Sequence, residues 1–418
     1  MNRLKRLLAV IGAILSAAYT ANGYRPLSKN GYLSVYTFTY GVFASELPLH
    51  VLAPQPVVLA AVSPGLGRRV GGFAWLLAGL SWLGLLGLDR IGRRSSQPLS
   101  AALDEGLGPD RRKDPHGLWG PPVDVRAPAK PPGLVRMLTI YRDYARESDI
   151  SYGEYGRKNL LDIWRRSDLP ADGRAPVLLQ VPGGAWMVGS KRGQAHPLMS
   201  HLAEAGWICV SINYRLSPRS TWPDHIVDVK RAIAWIKTHI AEYGGDPDFI
   251  AITGGSAGGH LSALAALTPD CAEFQPGFEE VDTRVQAAVP FYGLYDFTRS
   301  DSGIHPMQVP MLEEYVFKQR RTSYPEAYRR ASPITHAGPD APPFFVLHGT
   351  NDSLIPVEQG RSFAERLRAV SNSPVVYAEL PCAQHAFDIL GSVRATHTAV
   401  AVEQFLAEVY ARRTPAVT

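Results

Sequence analysis

From residue 150 onward the chain alternates short apolar runs with longer segments that carry apolar residues at helical spacing. The apolar runs, rich in β-branched and aromatic residues, are 176–181, 207–213, 249–253, 286–292, 343–348 and 374–380. The helical patterns are 196–205, 224–243, 257–267, 357–370 and 393–412. Because strands joined by helices pair in parallel, this alternation predicts an α/β fold, with a mainly parallel sheet and helices on both faces. The stretch 150–165 predicts a hairpin that begins the sheet.

Glycines surround a serine at the junction between the run 249–253 and the helical pattern 257–267. Gly254, Ser256 and Gly258 form a G-x-S-x-G sequence, in which the serine occupies a sharp turn from strand to helix. Glycine at both ends removes Cβ atoms that would collide at such a turn. The following helix directs its unpaired N–H groups and the positive end of its dipole at the serine. We therefore expect a nucleophile elbow with Ser256 as the nucleophile, and not a glycine-rich loop with an incidental serine.

An acid and a histidine follow the last two apolar runs in matching positions. Asp352 comes shortly after the run 343–348, and His385 comes shortly after 374–380. Since ligands of parallel sheets lie at the carboxyl ends of the strands, both side chains are expected near Ser256. The chain order serine, acid, histidine is the order of the triad on this kind of sheet. His385 is then the predicted general base, and Asp352 is predicted to orient the imidazole and stabilise its charge.

The loop after the first apolar run, "PGGAWMVGSKRG" at 182–193, predicts the donors for a developing oxyanion. We expect an oxyanion hole at Gly183, Gly184, Ala185 and Ala257, whose backbone N–H groups can approach the reacting carbonyl closely. A phosphate-binding loop is not expected, because the G-x-x-x-x-G-K-[ST] pattern is absent. No metal and no cofactor is expected, since the histidines lack metal-ligand spacing and the three cysteines are far apart.

The first 88 residues contain three uncharged runs, at 7–24, 47–67 and 70–88. The third has 19 residues, and at about 1.5 Å per residue it can cross the ~30 Å hydrocarbon core of a bilayer. The first is predicted to remain as an uncleaved span, because no convincing cleavage site of small residues follows it. Prolines make the second the least regular of the three. We expect residues 1–88 to anchor the chain in the cell membrane through two or three spans, in contact with membrane lipids.

The side of the membrane on which the rest of the chain lies stays open. With three spans, five basic residues flank each side, so the positive-inside rule favours neither orientation. With only the first and third runs spanning, the arginine clusters lie inside and the rest of the chain is cytoplasmic. The net charge is only +5, and lysine and arginine do not cluster with aromatic residues, which argues against a nucleic-acid partner.

Residues 89–133 are predicted to be a linker, because they combine eight prolines and mixed charges with no apolar periodicity. A helical stripe begins at residue 134, and residues 134–418 are predicted to form the catalytic domain. Within that domain, the segment 299–330 interrupts the order of the strands. It is expected either to line an acyl pocket or to form an ordinary surface helix.

Residues 150–412 resemble the α/β-hydrolases, and within them the esterase and lipase group related to hormone-sensitive lipase and to arylformamidases. The matching stretches are "PGGAW" at 182–186, "INYRLSP" at 212–218, "WPDHIVDVKRAIAWI" at 222–236, "GGSAGGHLSAL" at 254–264 and "HGTNDSLIPVEQ" at 348–359. The long N-terminal extension looks similar to that of membrane-anchored actinobacterial esterases described as lipases. One position departs from the pattern: Pro182 stands where the oxyanion motif usually begins with histidine, and it fixes the local φ angle.

The resemblance implies a serine carboxylesterase or lipase that works through an acyl-enzyme on Ser256, His385 and Asp352 without a cofactor. An arylformamidase, or another amide-cleaving serine hydrolase, is the alternative within the same enzyme class. A serine peptidase is less expected, because no added domain or acidic pair for a peptide terminus is evident. The alternative of another class is a binding protein with an inactive hydrolase fold, although such proteins typically lose a triad residue.

Overall fold

The computed structural model describes residues 2–29, 31–63, 68–111, 133–298 and 308–413. The helices before the first strand are α1 (Asn2–Tyr24), α2 (Leu33–Glu46), α3 (Pro48–Leu52), α4 (Pro54–Val62), α5 (Arg68–Arg93), α6 (Ser96–Leu107) and α7 (Gly133–Tyr144). The strands are β1 (Ala145–Ser151), β2 (Leu160–Trp164), β3 (Ala175–Val181), β4 (Ile208–Ile212), β5 (Gly245–Gly255), β6 (Ala287–Phe291), β7 (Phe344–Gly349) and β8 (Val375–Leu380). The later helices are α8 (His196–Glu204), α9 (Asp224–His239), α10 (Ala257–Leu267), α11 (Gln308–Met311), α12 (Pro325–Ala331), α13 (Glu358–Val370) and α14 (Val393–Arg412).

The strands form one sheet in the order β1-β2-β4-β3-β5-β6-β7-β8. β1 and β4 pair antiparallel with β2, and every other pairing is parallel. The prediction of a mainly parallel α/β sheet that begins with a hairpin is therefore confirmed. Because β3, β5, β7 and β8 run in the same direction, the loops that follow them meet at one edge of the sheet.

Helices cover both faces of this sheet, as its apolar strands require. Side chains alternate along β3, so that Val177 and Leu179 join the buried cluster that contains α9 and α10. Leu178 points the other way, into the buried cluster that contains α8 and α14. The long runs without polar residues in the sequence are thus explained by strands that are buried on both sides.

The N-terminal helices pack on one another and on the sheet domain. Within the described part of the chain, two helical stretches, Arg6–Tyr24 and Arg69–Leu107, are long and apolar enough to cross a membrane. A third span would need α2 and the helices after it to act as one segment bent by 99°. The apolar run 47–67 is not one helix: Pro54 begins a new helix after Leu52, and residues 64–67 lie outside the described ones.

The predicted linker 89–133 is wrong in its first part. α5 continues to Arg93, and α6 packs against β8 and α14 with Leu99, Leu103 and Leu107 buried. These leucines recur at every fourth position, a helical stripe that the prolines and charges obscured. A Cβ at Gly106 would lie 2.7 Å from a methyl carbon of Val376, so glycine lets α6 approach the edge strand closely. The rest of the linker, 112–132, lies outside the described residues.

Candidate active site

The turn between β5 and α10 holds Ser256 in a strained backbone conformation, with φ 58° and ψ −121°. Neighbouring glycines make this turn sterically possible. A Cβ at Gly254 would lie 2.5 Å from the carbonyl oxygen of Val181, and a Cβ at Gly258 would lie 2.1 Å from the same oxygen. Real Cβ atoms do not approach backbone oxygens so closely, so the elbow requires glycine at both positions.

The loops after β7 and β8 bring the acid and the histidine together. His385 Nδ1 lies 2.7 Å from Asp352 Oδ2, and both side chains are buried. A carboxylate only accepts hydrogen bonds, so Nδ1 carries the proton and Nε2 is the basic nitrogen of the neutral ring. The other oxygen of Asp352 accepts the backbone N–H groups of Leu354 and Ile355, each at 2.8 Å. These bonds fix the carboxylate before any substrate arrives.

Burial alone would raise the pKa of the Asp352 carboxyl. The charge of His385 and hydrogen bonds from His348 and His385 outweigh burial and lower this pKa below its ordinary value of 3.8. His348, at the end of β7, places Nε2 3.4 Å from Asp352 Oδ2 and 2.9 Å from the carbonyl of Ile355. The acid therefore stays ionised near neutral pH and can stabilise an imidazolium on His385.

Gln384 connects the two loops. Its side-chain oxygen accepts the backbone N–H of Ser353 at 2.7 Å and that of His385 at 2.9 Å. The backbone N–H groups of Ser353 and His385 thus share one acceptor, the side-chain oxygen of Gln384. This bridge sets the distance between the loops independently of the bond between His385 and Asp352.

The loop after β3 lies beside the elbow. Gly184 has φ 126° and Ala185 has φ 52°, so the chain turns sharply there. Among the described residues, no hydrogen bond occupies the backbone N–H groups of Gly184, Ala185 or Ala257. Ala257 begins α10, where the first N–H groups have no partner within the helix. These three groups remain the candidate oxyanion donors.

Gly183 differs from the expectation, because its N–H donates to the side-chain oxygen of Gln194 at 2.7 Å. That N–H is not free for an oxyanion, which corrects the prediction for this residue. Its role is spatial: a Cβ at Gly183 would lie 2.4 Å from the carbonyl oxygen of Gly255. Gln194 also donates to the carbonyl of Gly183 at 3.2 Å, so one side chain bonds to both backbone polar groups of this residue.

His260, on α10, holds the loop after β3 through a hydrogen bond to Trp186. Trp186 donates its indole N–H to His260 Nδ1 at 3.2 Å, and His260 Nε2 lies 2.7 Å from the carbonyl of Ala331. An indole can only donate and a carbonyl can only accept, so His260 is neutral with its proton on Nε2. Burial lowers the pKa of His260 from 6.5 to about 4, in keeping with that form.

A buried tyrosine and a second acid lie beside His385. Tyr292, after β6, donates to Asp388, and its ring centre lies 4.5 Å from that of His385. Burial raises the pKa of the Asp388 carboxyl above 3.8, although the hydrogen bond from Tyr292 acts in the opposite direction. Neither residue was predicted from the sequence, although the position of Tyr292 directly after a central strand is a signal for it.

One cavity joins these parts. It has a volume of about 640 Å³ and is lined by Ser256, His385, Gly184 and Ala185. Met311, Leu312 and Tyr315 line it as well, so the described part of the insert 299–330 forms a wall of the pocket. Residues 299–307 of that insert, including Met307, lie outside the described ones. Among the described residues, no group of three histidine, cysteine or acidic side chains is placed to hold a metal ion.

Comparison with known proteins places the chain in a family. The family model BD-FAE matches residues 161–367. LipM of Mycobacterium tuberculosis, a probable carboxylic ester hydrolase, is 64% identical over 408 residues, which cover 98% of this chain and 94% of LipM. The chain belongs to this family of carboxylic ester hydrolases. The esterase LipQ of the same organism is 49% identical and covers 89% of this chain and 84% of its own length.

A solved esterase shares the fold of this chain. The butyrate-bound structure of the esterase Est2 from Thermogutta terrifontis is 26% identical to the chain, with a TM-score of 0.51. It covers 61% of this chain and 90% of Est2. The expectation of an α/β-hydrolase that cleaves carboxylic esters is therefore confirmed, and the alternative of an inactive binding protein is not supported.

Proposed function

We propose that the chain hydrolyses carboxylic esters through an acyl-enzyme on Ser256, with His385 as general base and Asp352 as the residue that orients it. The observation that carries the proposal is the 2.7 Å hydrogen bond between His385 Nδ1 and Asp352 Oδ2, beside the cavity that Ser256 also lines. That bond fixes the tautomer in which Nε2 can accept the serine proton. The membership in an ester hydrolase family supports an ester as the bond cleaved.

In the first half of the reaction, His385 Nε2 takes the proton of Ser256 Oγ as that oxygen attacks the ester carbonyl. The negative charge that develops on the carbonyl oxygen is stabilised by backbone N–H groups of Gly184, Ala185 and Ala257. The imidazolium is stabilised by Asp352 and then protonates the leaving alcohol. In the second half, His385 removes a proton from water, which attacks the acyl-enzyme. The bond between the acyl group and Ser256 Oγ then breaks, His385 returns the proton to Oγ, and the acid is released.

We further propose that α1 and α5 hold the chain in the cell membrane. Both belong to stretches that are long and apolar enough to span a bilayer. Many of their apolar side chains face outward, for example Leu7 at 56% exposure and Leu83 at 66%. α6 packs on the sheet, so we place the start of the catalytic domain at α6 and not at residue 134.

A fluorophosphonate probe with intact-mass detection tests the nucleophile directly. The full-length chain in detergent should gain one adduct, and peptide mapping should locate it on Ser256. The Ser256→Ala variant should gain none, while Ser190→Ala, which changes an exposed serine of the loop after β3, should label as the wild type does. Labelling at another residue, or of the Ser256→Ala variant, would refute the assignment.

A further inference from the structure

An N-terminal helix forms part of the wall of the catalytic pocket. Tyr32, Ser34, Val35 and Phe38, in and just before α2, line the same cavity as Ser256. The ring of Phe38 lies edge-on to that of His385, with ring centres 5.8 Å apart. A segment that the sequence assigns to membrane anchoring therefore reaches the reacting groups themselves.

Specific polar contacts fix α2 in this position. The carboxylate of Glu46, at the end of α2, pairs with Arg394 at 3.0 Å, and both side chains are buried. At the other end, Ser353, next to the catalytic acid, donates to the backbone carbonyl of Ser34 at 3.0 Å. Asn351 donates to the carbonyls of Gly23 and Tyr24, at the end of α1, at 3.0 and 2.9 Å. The pocket wall is thus held by α14 at one end and by the loop that carries Asp352 at the other.

α2 packs against the candidate spans α1 and α5 and carries exposed aromatic side chains. On α2, Tyr36 is 62% exposed and Tyr40 is 54% exposed, and the ring of Tyr40 contacts that of Tyr19 on α1. Aromatic side chains with a polar tip are enriched at the interface between lipid and water. Exposed apolar side chains also reach the pocket itself, because Val35 and Val188 line it and are 45% and 64% exposed. α2 therefore packs against the helices that would lie in lipid and also contributes exposed Val35 to the wall of the pocket.

We infer that the substrate is a membrane-embedded ester of a long-chain fatty acid, which enters the pocket from the bilayer along α2. This inference rests on the proposed function and names the substrate class of the same site. The acyl chain would lie between Val35 and Phe38 of α2 and Met311 of the insert, with the ester carbonyl at Ser256. A water-soluble ester would reach Ser256 without using the outer face of α2.

The test compares two substrates with the full-length chain in vesicles. The vesicles consist of an ether-linked phosphatidylcholine, which has no acyl ester, and carry dioleoylglycerol as the embedded substrate. p-Nitrophenyl butyrate serves as the soluble substrate and reports the state of the catalytic groups. The variant Tyr36→Asp/Tyr40→Asp places charge on the lipid-facing side of α2. The control Tyr324→Asp changes a tyrosine of similar exposure, 53%, that lies outside the N-terminal helices and does not line the pocket.

We expect the double variant to lose dioleoylglycerol hydrolysis by at least about tenfold while it keeps butyrate hydrolysis, because the charges disfavour contact with the bilayer. The control should keep both activities. Equal loss of both activities, or unchanged hydrolysis of the embedded ester, would overturn the inference. A wild type that cleaves butyrate but not dioleoylglycerol would overturn it while leaving the proposed function intact. A wild type that cleaves neither, and that a fluorophosphonate fails to label, would refute the proposed function itself.

A second measurement uses the wild type only and does not depend on the folding of a variant. Vesicles would carry a fatty-acid ester with a photoreactive group on the acyl chain, and the labelled chain would be mapped by mass spectrometry after illumination. We expect adducts on residues 32–38 and 308–315, and competition by dioleoylglycerol should remove them. Adducts confined to α1 and α5 would show contact with lipid but no entry into the pocket, which would overturn the inference.

Discussion

The carboxylate of Glu46 on α2 lies 3.0 Å from the guanidinium of Arg394 on α14, and both side chains are buried. Ser392 donates to the same carboxylate at 2.8 Å and also caps α14 by accepting the N–H of Ala395 at 3.0 Å. Arg394 donates in addition to the carbonyl of Pro381, in the loop that carries His385. One ion pair therefore connects the N-terminal helices to the loop that carries His385.

Breaking this pair should destabilise the protein strongly. Glu46→Gln leaves the Arg394 charge buried without a counter-charge, which typically costs about 3–5 kcal/mol. The measurement is the thermal midpoint of the full-length chain in detergent. The control is Glu326→Gln, whose partner Arg329 lies 2.7 Å away with both side chains 57% exposed. That exposed pair should contribute only about 0–1 kcal/mol. Equal shifts in the two variants would contradict the role assigned to the buried pair.

The orientation of His385 should depend on Asp352. In Asp352→Asn the side chain can no longer enforce the proton on Nδ1, and kcat for p-nitrophenyl butyrate should fall on the order of 10⁴-fold. KM should change little, because the acid does not line the cavity. Asp296→Asn is the matched control, since Asp296 is also buried and also accepts bonds within its own loop. A small loss of kcat in Asp352→Asn would argue for another residue as the orienting acid.

Adding one methyl group at the elbow should disrupt it. The Cβ of Gly258→Ala would stand 2.1 Å from the carbonyl oxygen of Val181, so β3 and α10 would have to separate. We expect a loss of stability of about 1–3 kcal/mol or more, together with loss of esterase activity. Gly193→Ala meets nothing within 4 Å and should behave as the wild type. A fully active Gly258→Ala enzyme would contradict the close approach of the elbow to β3.

The neutral form of His260 should make the protein sensitive to acid. Its pKa is lowered by burial to about 4 from 6.5, so its contribution to stability is complete above pH 6.5 and is lost as the pH falls toward 4. The size of the shift corresponds to about 3 kcal/mol over that window. Protonation would also place a second donor against the indole N–H of Trp186, which disturbs the oxyanion loop.

The variant His260→Phe removes this titrating group. Its thermal midpoint should be lower than that of the wild type at pH 7, but it should fall less steeply between pH 6.5 and pH 4. His225 keeps its own contribution in the variant, because burial lowers its pKa to about 3. Identical pH profiles for the variant and the wild type would show that His260 does not titrate as described.

Local patterns in the sequence were sufficient for the sheet and for the placement of the candidate triad. Strands buried on both faces leave apolar runs that periodicity detects, and residues directly after parallel strands must meet at one edge. For that reason Ser256, Asp352 and His385 could be selected without a structure. The elbow glycines could be selected as well, because a sharp strand-to-helix turn restricts the residue types that fit.

Contacts between residues that are distant in the sequence could not be predicted from local patterns. The bond between Trp186 and His260, the pair formed by Tyr292 and Asp388, and the use of the Gly183 N–H by Gln194 all depend on side-chain positions in space. The proximity of α2 to the pocket lined by Ser256 and His385 is also a long-range relationship, and no periodicity within α2 encodes it. The helix α6 was not predicted for another reason. The prolines and charges of residues 89–133 indicated a linker, although Leu99, Leu103 and Leu107 form a helical stripe within it.

The most direct test of the central claim is the rate of p-nitrophenyl butyrate hydrolysis by the full-length wild type and by Ser256→Ala, measured in detergent at equal protein concentration. The proposed mechanism forms the acyl-enzyme on Ser256, so we expect kcat to fall on the order of 10⁴-fold or more, with the thermal midpoint nearly unchanged. A Ser256→Ala enzyme that retains a substantial fraction of wild-type kcat would contradict the assignment of Ser256 as the nucleophile.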